Sequence, residues 1–267
     1  MSDYQDFQQL EQLKILVVGE SCQDIYHYGT VDRVSPEAPV PILNCDPTGR
    51  NREVLGGMSI NVATNIEKFG PYVDLLTHDL KLIRKHRFSD VRSRHQLMRM
   101  DEEFDIPQAT EEWDFDYYDA IVVSDYNKGF LTDSYLSEQT AASSNHTIPI
   151  FVDTKRPDLS CFHNAVIKLN EKEFENIVEP PPASSTIVTT LGSGGARWGG
   201  LSYTALEVDA HDTTGAGDVF IASLSVLSFL FDNLGEAIEK AVDLATLSVM
   251  HTGVYTLSYD DIKGVLQ

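Results

Sequence analysis

The residues best suited to chemistry lie in a seven-residue segment, 212–218, that reads DTTGAGD. This segment separates a strand-like stretch, residues 203–208, from a long apolar helix-like stretch, residues 219–231. Small residues before a helix leave backbone N–H groups uncovered, and the helix dipole adds partial positive charge at that end. The pattern therefore predicts an anion site, for which phosphate is the usual ligand.

Asp218 would stand in the first turn of that helix, where its carboxylate can reach a bound ligand. A carboxylate repels phosphate unless it has a chemical role there, and accepting a proton from a hydroxyl that attacks the phosphorus is such a role. Alternatively, the glycines form an ordinary turn and Asp218 only stabilises the helix dipole, since short motifs often match by chance. The segment alone leaves both interpretations open.

The composition indicates one globular chain without a basic face. Its 267 residues are 42% hydrophobic and 9% aromatic, enough for one large core. A formal net charge of -21 argues against binding to nucleic acid or to an anionic membrane. The three cysteines are widely spaced and predict neither a disulfide framework nor a zinc site. The polar residues 1–12 do not resemble a signal peptide, so we expect a cytoplasmic protein.

Short apolar runs alternate with helix-like segments along the chain. The strand-like runs are residues 14–19, 120–123, 148–152, 165–169 and 186–190, and the helix-like segments are residues 59–69, 134–144 and 171–177. Continuous apolar runs are typical of strands buried on both faces. The alternation predicts an α/β fold with an open, mainly parallel sheet flanked by helices. Ligands of such sheets bind beyond the carboxyl ends of the strands.

Two β-rich segments, about residues 26–54 and 81–101, interrupt the alternation and lack helical periodicity. They predict a small antiparallel sheet, which would suit a lid over a site. We therefore expect a single domain, residues 1–267, that carries this lid.

Four elements, in order, resemble the ribokinase-like, or PfkB, family of carbohydrate kinases. They are residues 56–63 (GGMSINVA), 170–173 (NEKE), 190–195 (TLGSGG) and 212–218. Four motifs in the family's order argue against a chance match. Within the family, residues 14–19, 32–41, 96–101 and 124–129 resemble the heptose 7-phosphate kinases. The resemblance implies a ribokinase-like fold and ATP-dependent transfer of the γ-phosphoryl group to a sugar hydroxyl.

The resemblance assigns catalysis to the C-terminal motif. Asp218 would be the general base, and the backbone N–H groups of Gly215, Ala216 and Gly217 would stabilise the γ-phosphate during transfer. This agrees with the anion site that the residues themselves predict.

The cofactors that the resemblance implies are ATP and Mg²⁺, and it allows a monovalent cation. The residues assigned to the nucleotide are Asn170, Glu173, Thr190, Gly192 and Gly195. Glu173 would act on Mg²⁺ through water, because magnesium keeps much of its hydration shell. Asn170 and Glu173 could instead form only a capping box at a helix start, and the glycine loop could be a plain turn.

The residues assigned to the sugar are Asp24, Gly56, Gly57, Asn61, Lys128 and Lys155. The aspartate and the asparagine would hydrogen-bond hydroxyls, the glycines would let the backbone approach the ring, and the lysines would neutralise a sugar phosphate. Each has a structural alternative: a solvated loop acid, a helix-surface amide, a tight turn or a surface charge.

The chain departs from the family pattern after residue 76. Only residues 77–80 stand where the family has a further βα unit, and a parallel crossover needs a dozen or more residues. Two hypotheses follow: an active kinase of a sugar or sugar phosphate, with heptose 7-phosphate favoured, or a non-catalytic relative that binds nucleotide or sugar. The intact motif around Asp218 favours activity, and the missing unit favours the alternative. The resemblance also implies a homodimer paired through the lid.

Overall fold

The computed structural model describes residues 8–93 and 95–267. Residues 1–7 and Arg94 lie outside the described residues. The first set belongs to the N-terminal segment that was expected not to be a signal peptide, and Arg94 belongs to the second lid segment. The described residues form two compact units. The larger comprises the residues up to Glu20, Met58–His78 and Pro107–Gln267, and the smaller comprises Ser21–Gly57 and Asp79–Ile106.

The larger unit contains an eight-stranded sheet in the order β13-β12-β11-β10-β9-β8-β1-β5. Its strands are β1 (Lys14–Gly19), β5 (Tyr72–Leu76), β8 (Ala120–Asp125), β9 (Ile150–Thr154), β10 (Ala165–Asn170), β11 (Thr186–Thr190), β12 (Ala196–Trp198) and β13 (Leu201–Tyr203). The pairs from β5 to β11 are parallel, and the last two pairs are antiparallel. The predicted open, mainly parallel sheet is confirmed.

Helices accompany this sheet. They are α1 (Ser59–Glu67), α2 (Asp133–Ala142), α3 (Glu171–Glu175), α4 (Ala216–Leu227), α5 (Leu234–Ser248) and α6 (Tyr259–Leu266). The almost wholly apolar α4 is buried along most of its length and packs with α5 and α1 in the main hydrophobic core. Burial on all sides explains why its sequence lacks an amphipathic pattern. No helix of the described residues combines the length and the apolar character needed to cross a membrane.

Two boundaries around the glycine motif differ from the prediction. The strand expected at residues 203–208 is absent: β13 ends at Tyr203, and residues 204–210 have no regular structure. The helix expected at residues 219–231 begins earlier, at Ala216, and ends at Leu227. Ala216 and Gly217, two small residues of the motif, form part of the first turn of α4. Hydrophobicity alone does not indicate that the helix begins at these residues.

The smaller unit is a five-stranded sheet, which confirms the predicted second sheet. Its strands are β2 (Ser21–Val34), β3 (Pro41–Cys45), β4 (Arg52–Met58), β6 (Ile83–Asp90) and β7 (Gln96–Glu103). The expectation of a wholly antiparallel sheet was wrong, because β2 and β6 pair in parallel. These strands are far apart in sequence, so no hairpin turn fixes their direction.

The connection after β5 is short. A single 3₁₀ turn, Leu80–Leu82, lies between the end of β5 at Leu76 and the start of β6 at Ile83. β5 therefore forms the edge of the larger sheet, and no helix follows it before β6.

Candidate active site

A cavity of about 910 Å³ lies within the larger unit, at the carboxyl ends of β8 to β11. Register places these ends side by side, since Asp125 pairs with Thr154 and Asn170 with Thr190. The predicted site residues that line the cavity are Lys155, Asn170, Thr190, Gly192, Gly195, Gly215, Ala216, Gly217 and Asp218. The position agrees with the general location of ligand sites in open α/β sheets.

Asp218 stands in the first turn of α4 and is only 5% exposed. Its two carboxylate oxygens accept hydrogen bonds from different elements. The amide of Asn61, on α1, donates to Oδ2 at 2.9 Å, and the hydroxyl of Tyr126, just after β8, donates to Oδ1 at 2.9 Å. A carboxylate held at both oxygens has a fixed direction, and each oxygen keeps a further lone pair for a substrate proton.

The surroundings raise the pKa of Asp218 above its ordinary value. Burial is the largest cause, and the nearby carboxylate of Asp153 adds to it. The hydrogen bonds from Asn61 and Tyr126 and the ammonium group of Lys168 oppose the rise. A carboxylate with a raised pKa is a stronger proton acceptor once ionised, which suits a general base.

The turn before α4 depends on glycine. Gly215 caps the helix with a φ of 81°, and a Cβ there would lie 2.9 Å from the Asn61 amide nitrogen. The N–H of Ala216 donates to the Thr213 carbonyl at 3.3 Å, so its proposed role toward phosphate competes with this long turn contact. The N–H groups of Gly217 and Asp218, in the first turn, have no acceptor within the helix. They are the donors best placed for an anion.

A chain of alternating charges borders the cavity. The Lys168 ammonium lies 3.0 Å from Asp153 Oδ2, and Lys155 lies 3.3 Å from Asp153 Oδ1 and 2.6 Å from Glu173 Oε1. Burial alone would raise the pKa of Asp153, but the two lysines outweigh it and lower that pKa. Burial would lower the pKa of Lys155, but Asp153 and Glu173 raise it overall. Asp153 and Lys155 are therefore charged at neutral pH.

Lys168 lies next to the start of α4, because a Cβ on Gly217 would be 2.7 Å from its Nζ. Lys168, Asp153 and Tyr126 were not among the predicted site residues. A lysine inside the otherwise apolar β10 was an available signal, since lysine is rarely fully buried unless paired. Tyr126 gave no such signal, because a tyrosine after a strand is common in any core.

Asn170 and Glu173 form the capping box that the sequence offered as the alternative. Glu173 accepts the Asn170 N–H at 2.7 Å through Oε2, and Asn170 accepts the Glu173 N–H at 2.9 Å. Both Glu173 oxygens are thus engaged, one by Asn170 and the other by Lys155. This arrangement fits contact with Mg²⁺ through water better than direct coordination. Within the described residues, no cluster of three or more His, Cys, Asp or Glu side chains could hold a metal ion.

The glycine loop after β11, which ends at Thr190, is a 3₁₀ turn, Gly192–Gly194, flanked by Leu191 and Gly195. Gly195 has a φ of 82°, and a Cβ there would lie 1.9 Å from the Tyr203 carbonyl oxygen. Only glycine fits this position. Gly192 is exposed, and a Cβ there would meet nothing within 4 Å. The space beside its Cα is therefore open to the cavity.

The loop after β8 is held by a buried carboxylate. Glu20 accepts backbone N–H groups from Tyr126 at 2.8 Å, Lys128 at 3.1 Å and Phe130 at 3.3 Å. Burial, and then the charge of Asp125, raises the pKa of Glu20. The Lys128 side chain is exposed and does not line the cavity.

The remaining sugar-side residues belong to the smaller unit. Asp24 is not a solvated loop acid: it lies in β2, is 2% exposed and accepts the Arg87 Nε at 2.8 Å. Gly56 and Gly57 lie in β4, and a Cβ on Gly57 would approach Asp24 Oδ2 to 2.1 Å. The structure therefore brings Asp24, Arg87 and Gly57 together within one sheet.

The pfkB family carbohydrate kinase profile matches residues 102–261, more than half of the chain. Among curated proteins, the bifunctional protein HldE of Nitrosococcus oceani is 30% identical over 307 residues, covering 95% of this chain and 64% of that protein. HldE of Coxiella burnetii is 27% identical over 320 residues, covering 100% of this chain and 66% of that protein. The chain thus spans less than two thirds of these relatives.

The alignment with the Coxiella burnetii protein is longer than this chain. It covers 320 positions and this chain has 267 residues, so at least 53 positions lack a counterpart here. Such a difference is large enough for a βα unit.

Solved structures show the same fold. Phosphofructokinase-2 from Escherichia coli in complex with potassium aligns with a TM-score of 0.71 and 15% identity, covering 95% of this chain and 98% of that one. Arabidopsis thaliana ribokinase complexed with ribose and ATP aligns with a TM-score of 0.68 and 14% identity, covering 96% and 99%. The fold is therefore ribokinase-like. With the family profile over most of the larger unit, these findings show that the chain belongs to the pfkB family of carbohydrate kinases.

Proposed function

We propose that the protein is an ATP-dependent sugar kinase whose general base is Asp218. The observation that carries the proposal is the position of this carboxylate: it is fixed by Asn61 and Tyr126 at the start of α4, on a cavity that also holds the ammonium group of Lys168. A base, an anion-binding helix start and a buried cation are the parts that phosphoryl transfer requires.

In this proposal the γ-phosphate of ATP lies against the first turn of α4. The N–H groups of Gly217 and Asp218, together with Lys168, stabilise the charge that develops on the transferring group. Asp218 accepts the proton of the attacking hydroxyl. Bound Mg²⁺ would neutralise phosphate charge, and Glu173, with Lys155 beside it, would hold it through water.

The proposed substrate is a sugar phosphate, with heptose 7-phosphate favoured. Support comes from the resemblance of residues 32–41 and 124–129 to the heptose kinases and from the HldE relatives at 27–30% identity. We also propose a lid role for the smaller unit and a homodimer through it. The edge strand β7 exposes Leu97, Met98 and Met100, an apolar surface that pairing would cover. A monovalent cation requirement is proposed by analogy with the potassium complex of phosphofructokinase-2.

A second candidate is a nucleotide- or sugar-binding relative without turnover. It is favoured by the Coxiella burnetii alignment, in which at least 53 positions have no counterpart in this chain. The retained base and glycine turn favour the kinase.

The test is ADP release with Mg-ATP across a panel of sugars and sugar phosphates that includes heptose 7-phosphate, with Asp218→Asn alongside. We expect turnover on one class of sugar and a loss of at least about 100-fold in the variant, the usual scale for a general base. ATP binding without turnover on any sugar would support the second candidate instead.

A further inference from the structure

Tyr126 is the partner of Asp218 that lies outside the four family motifs, in the segment 124–129 that resembles the heptose kinases. It follows the last residue of β8 directly, borders the cavity, and donates its hydroxyl to Asp218 Oδ1 at 2.9 Å. The other oxygen, Oδ2, accepts from Asn61 at 2.9 Å. The carboxylate is therefore held by one donor on each oxygen, from two elements distant in sequence.

Tyr126 is itself held at two further points, one on its main chain and one on its ring. Its backbone N–H donates to the buried Glu20 carboxylate at 2.8 Å, which anchors the main chain. The Lys155 ammonium lies 5.5 Å from the ring centroid, within the range of a cation–π contact. Lys155 is in turn held by Glu173 at 2.6 Å. These contacts place the phenol beside Asp218.

We propose that Tyr126 is a positioning residue for the general base: its hydroxyl fixes the direction of the Asp218 carboxylate and favours the ionised form. The inference rests on the proposed kinase function. Its physical basis is that a donor to a charged acceptor stabilises the charge, by more than a bond between neutral groups does. Without this donor, one oxygen of a buried carboxylate loses its protein partner.

The groups that face Asp218 come from every element packed around it. Asp153 at the end of β9 repels it, Lys168 on β10 attracts it, and Asn61 on α1 and Tyr126 after β8 donate hydrogen bonds. Burial and the Asp153 charge would remain if the hydroxyl were removed. The pKa of Asp218 should therefore rise further in a Tyr126→Phe variant.

The kinetic test compares Tyr126→Phe with Tyr118→Phe. Tyr118 is a matched control because its hydroxyl also donates to an aspartate, Asp74 Oδ2, at 2.9 Å, and it does not line the cavity. We expect Tyr126→Phe to move the acid limb of the kcat/KM profile to higher pH by about one unit and to lower kcat at neutral pH about tenfold, with KM for ATP nearly unchanged. Tyr118→Phe should leave the profile unchanged. Coincident acid limbs in wild type and Tyr126→Phe would overturn the proposal.

A second measurement does not depend on turnover. Carbon-13 NMR of aspartate-labelled protein, with the Asp218 signal assigned by its absence in Asp218→Asn, reports the protonation of this carboxyl directly. An upward shift of its titration midpoint in Tyr126→Phe is the expected result. An unchanged midpoint would refute the role of Tyr126 even in an active kinase. A shifted midpoint in a protein that phosphorylates no sugar would refute the proposed function and leave the Tyr126–Asp218 interaction supported.

Discussion

Replacing Asp153 by asparagine would leave the Lys168 ammonium buried without its nearest counter-ion. Lys168 is 3% exposed, and its Nζ lies 3.0 Å from Asp153 Oδ2. With an effective dielectric constant of about 20, Coulomb's law gives about 5 kcal/mol for such a pair. Removing one partner of a buried pair typically costs about 3–5 kcal/mol, because the other charge stays desolvated. We therefore expect Asp153→Asn to lower the free energy of unfolding by about 4 kcal/mol and Tm by about 10 °C.

The pH dependence follows from the sign of the shift. The pKa of Asp153 is lowered in the folded protein, because Lys168 and Lys155 outweigh burial. A depressed carboxyl pKa contributes stability that is present above the unfolded value, about 3.9, and is lost as pH falls through the folded value. The difference in stability between wild type and Asp153→Asn should thus be full near neutral pH and shrink below about pH 4.

The assay is chemical and thermal unfolding of three variants at neutral and acid pH. The double variant Asp153→Asn/Lys168→Met should lose less free energy of unfolding than Asp153→Asn alone, because it leaves no unpaired buried charge. Asp116→Asn is the control, because Asp116 has a 90% exposed side chain and should change stability by less than about 0.5 kcal/mol. Equal stability of Asp153→Asn and wild type at neutral pH would refute the charged, buried pair.

The remaining predictions concern the glycine loop and the base. Gly195→Ala should distort the loop and weaken ATP binding at least about tenfold, because its Cβ would lie 1.9 Å from the Tyr203 carbonyl at a φ of 82°. Gly199→Ala is the control, because Gly199 has a φ of 57° and an added Cβ would meet nothing within 4 Å. This variant should lose only about 1–2 kcal/mol of stability and bind ATP as wild type does. Isothermal titration calorimetry measures ATP binding to both variants. The raised pKa of Asp218 places the acid limb of kcat/KM above the range of an ordinary aspartate, and a limb at or below that range would contradict the burial argument.

Much of the fold followed from periodicity, because strands buried on both faces give continuous apolar runs. β1 and β11 have the bounds that their runs indicate. The prediction of a strand at residues 203–208 was wrong. Alternating apolar residues gave this segment the pattern of a strand, but residues 204–208 line the cavity and pair with no other strand. The parallel pairing of β2 with β6 was also missed, because only long-range contacts determine it.

The candidate site, like the fold, was only partly predicted from the sequence. Asn170, Thr190, Gly192, Gly195 and the segment 215–218 lie on one cavity, as their order after successive strands implies, whereas Gly56 and Gly57 belong to the smaller unit. Tyr126 was not identified, because its role comes from contact with Asp218, a residue far away in sequence. Lys168 was missed although a lysine within an apolar strand was an available signal. Asp24 was predicted to accept hydrogen bonds from sugar hydroxyls. Its Oδ1 also accepts a hydrogen bond from Arg87 Nε, a contact made by the parallel strands that the sequence did not predict.

The most direct test of the account is transfer of label from ATP labelled in its γ-phosphate, with wild type and Asp218→Asn at equal ATP occupancy. We expect label to appear on a sugar or sugar phosphate with wild type, and at least about 100-fold more slowly with the variant. Label released only as inorganic phosphate, or transfer that Asp218→Asn leaves unchanged, would contradict the assignment of Asp218 as the base of a sugar kinase.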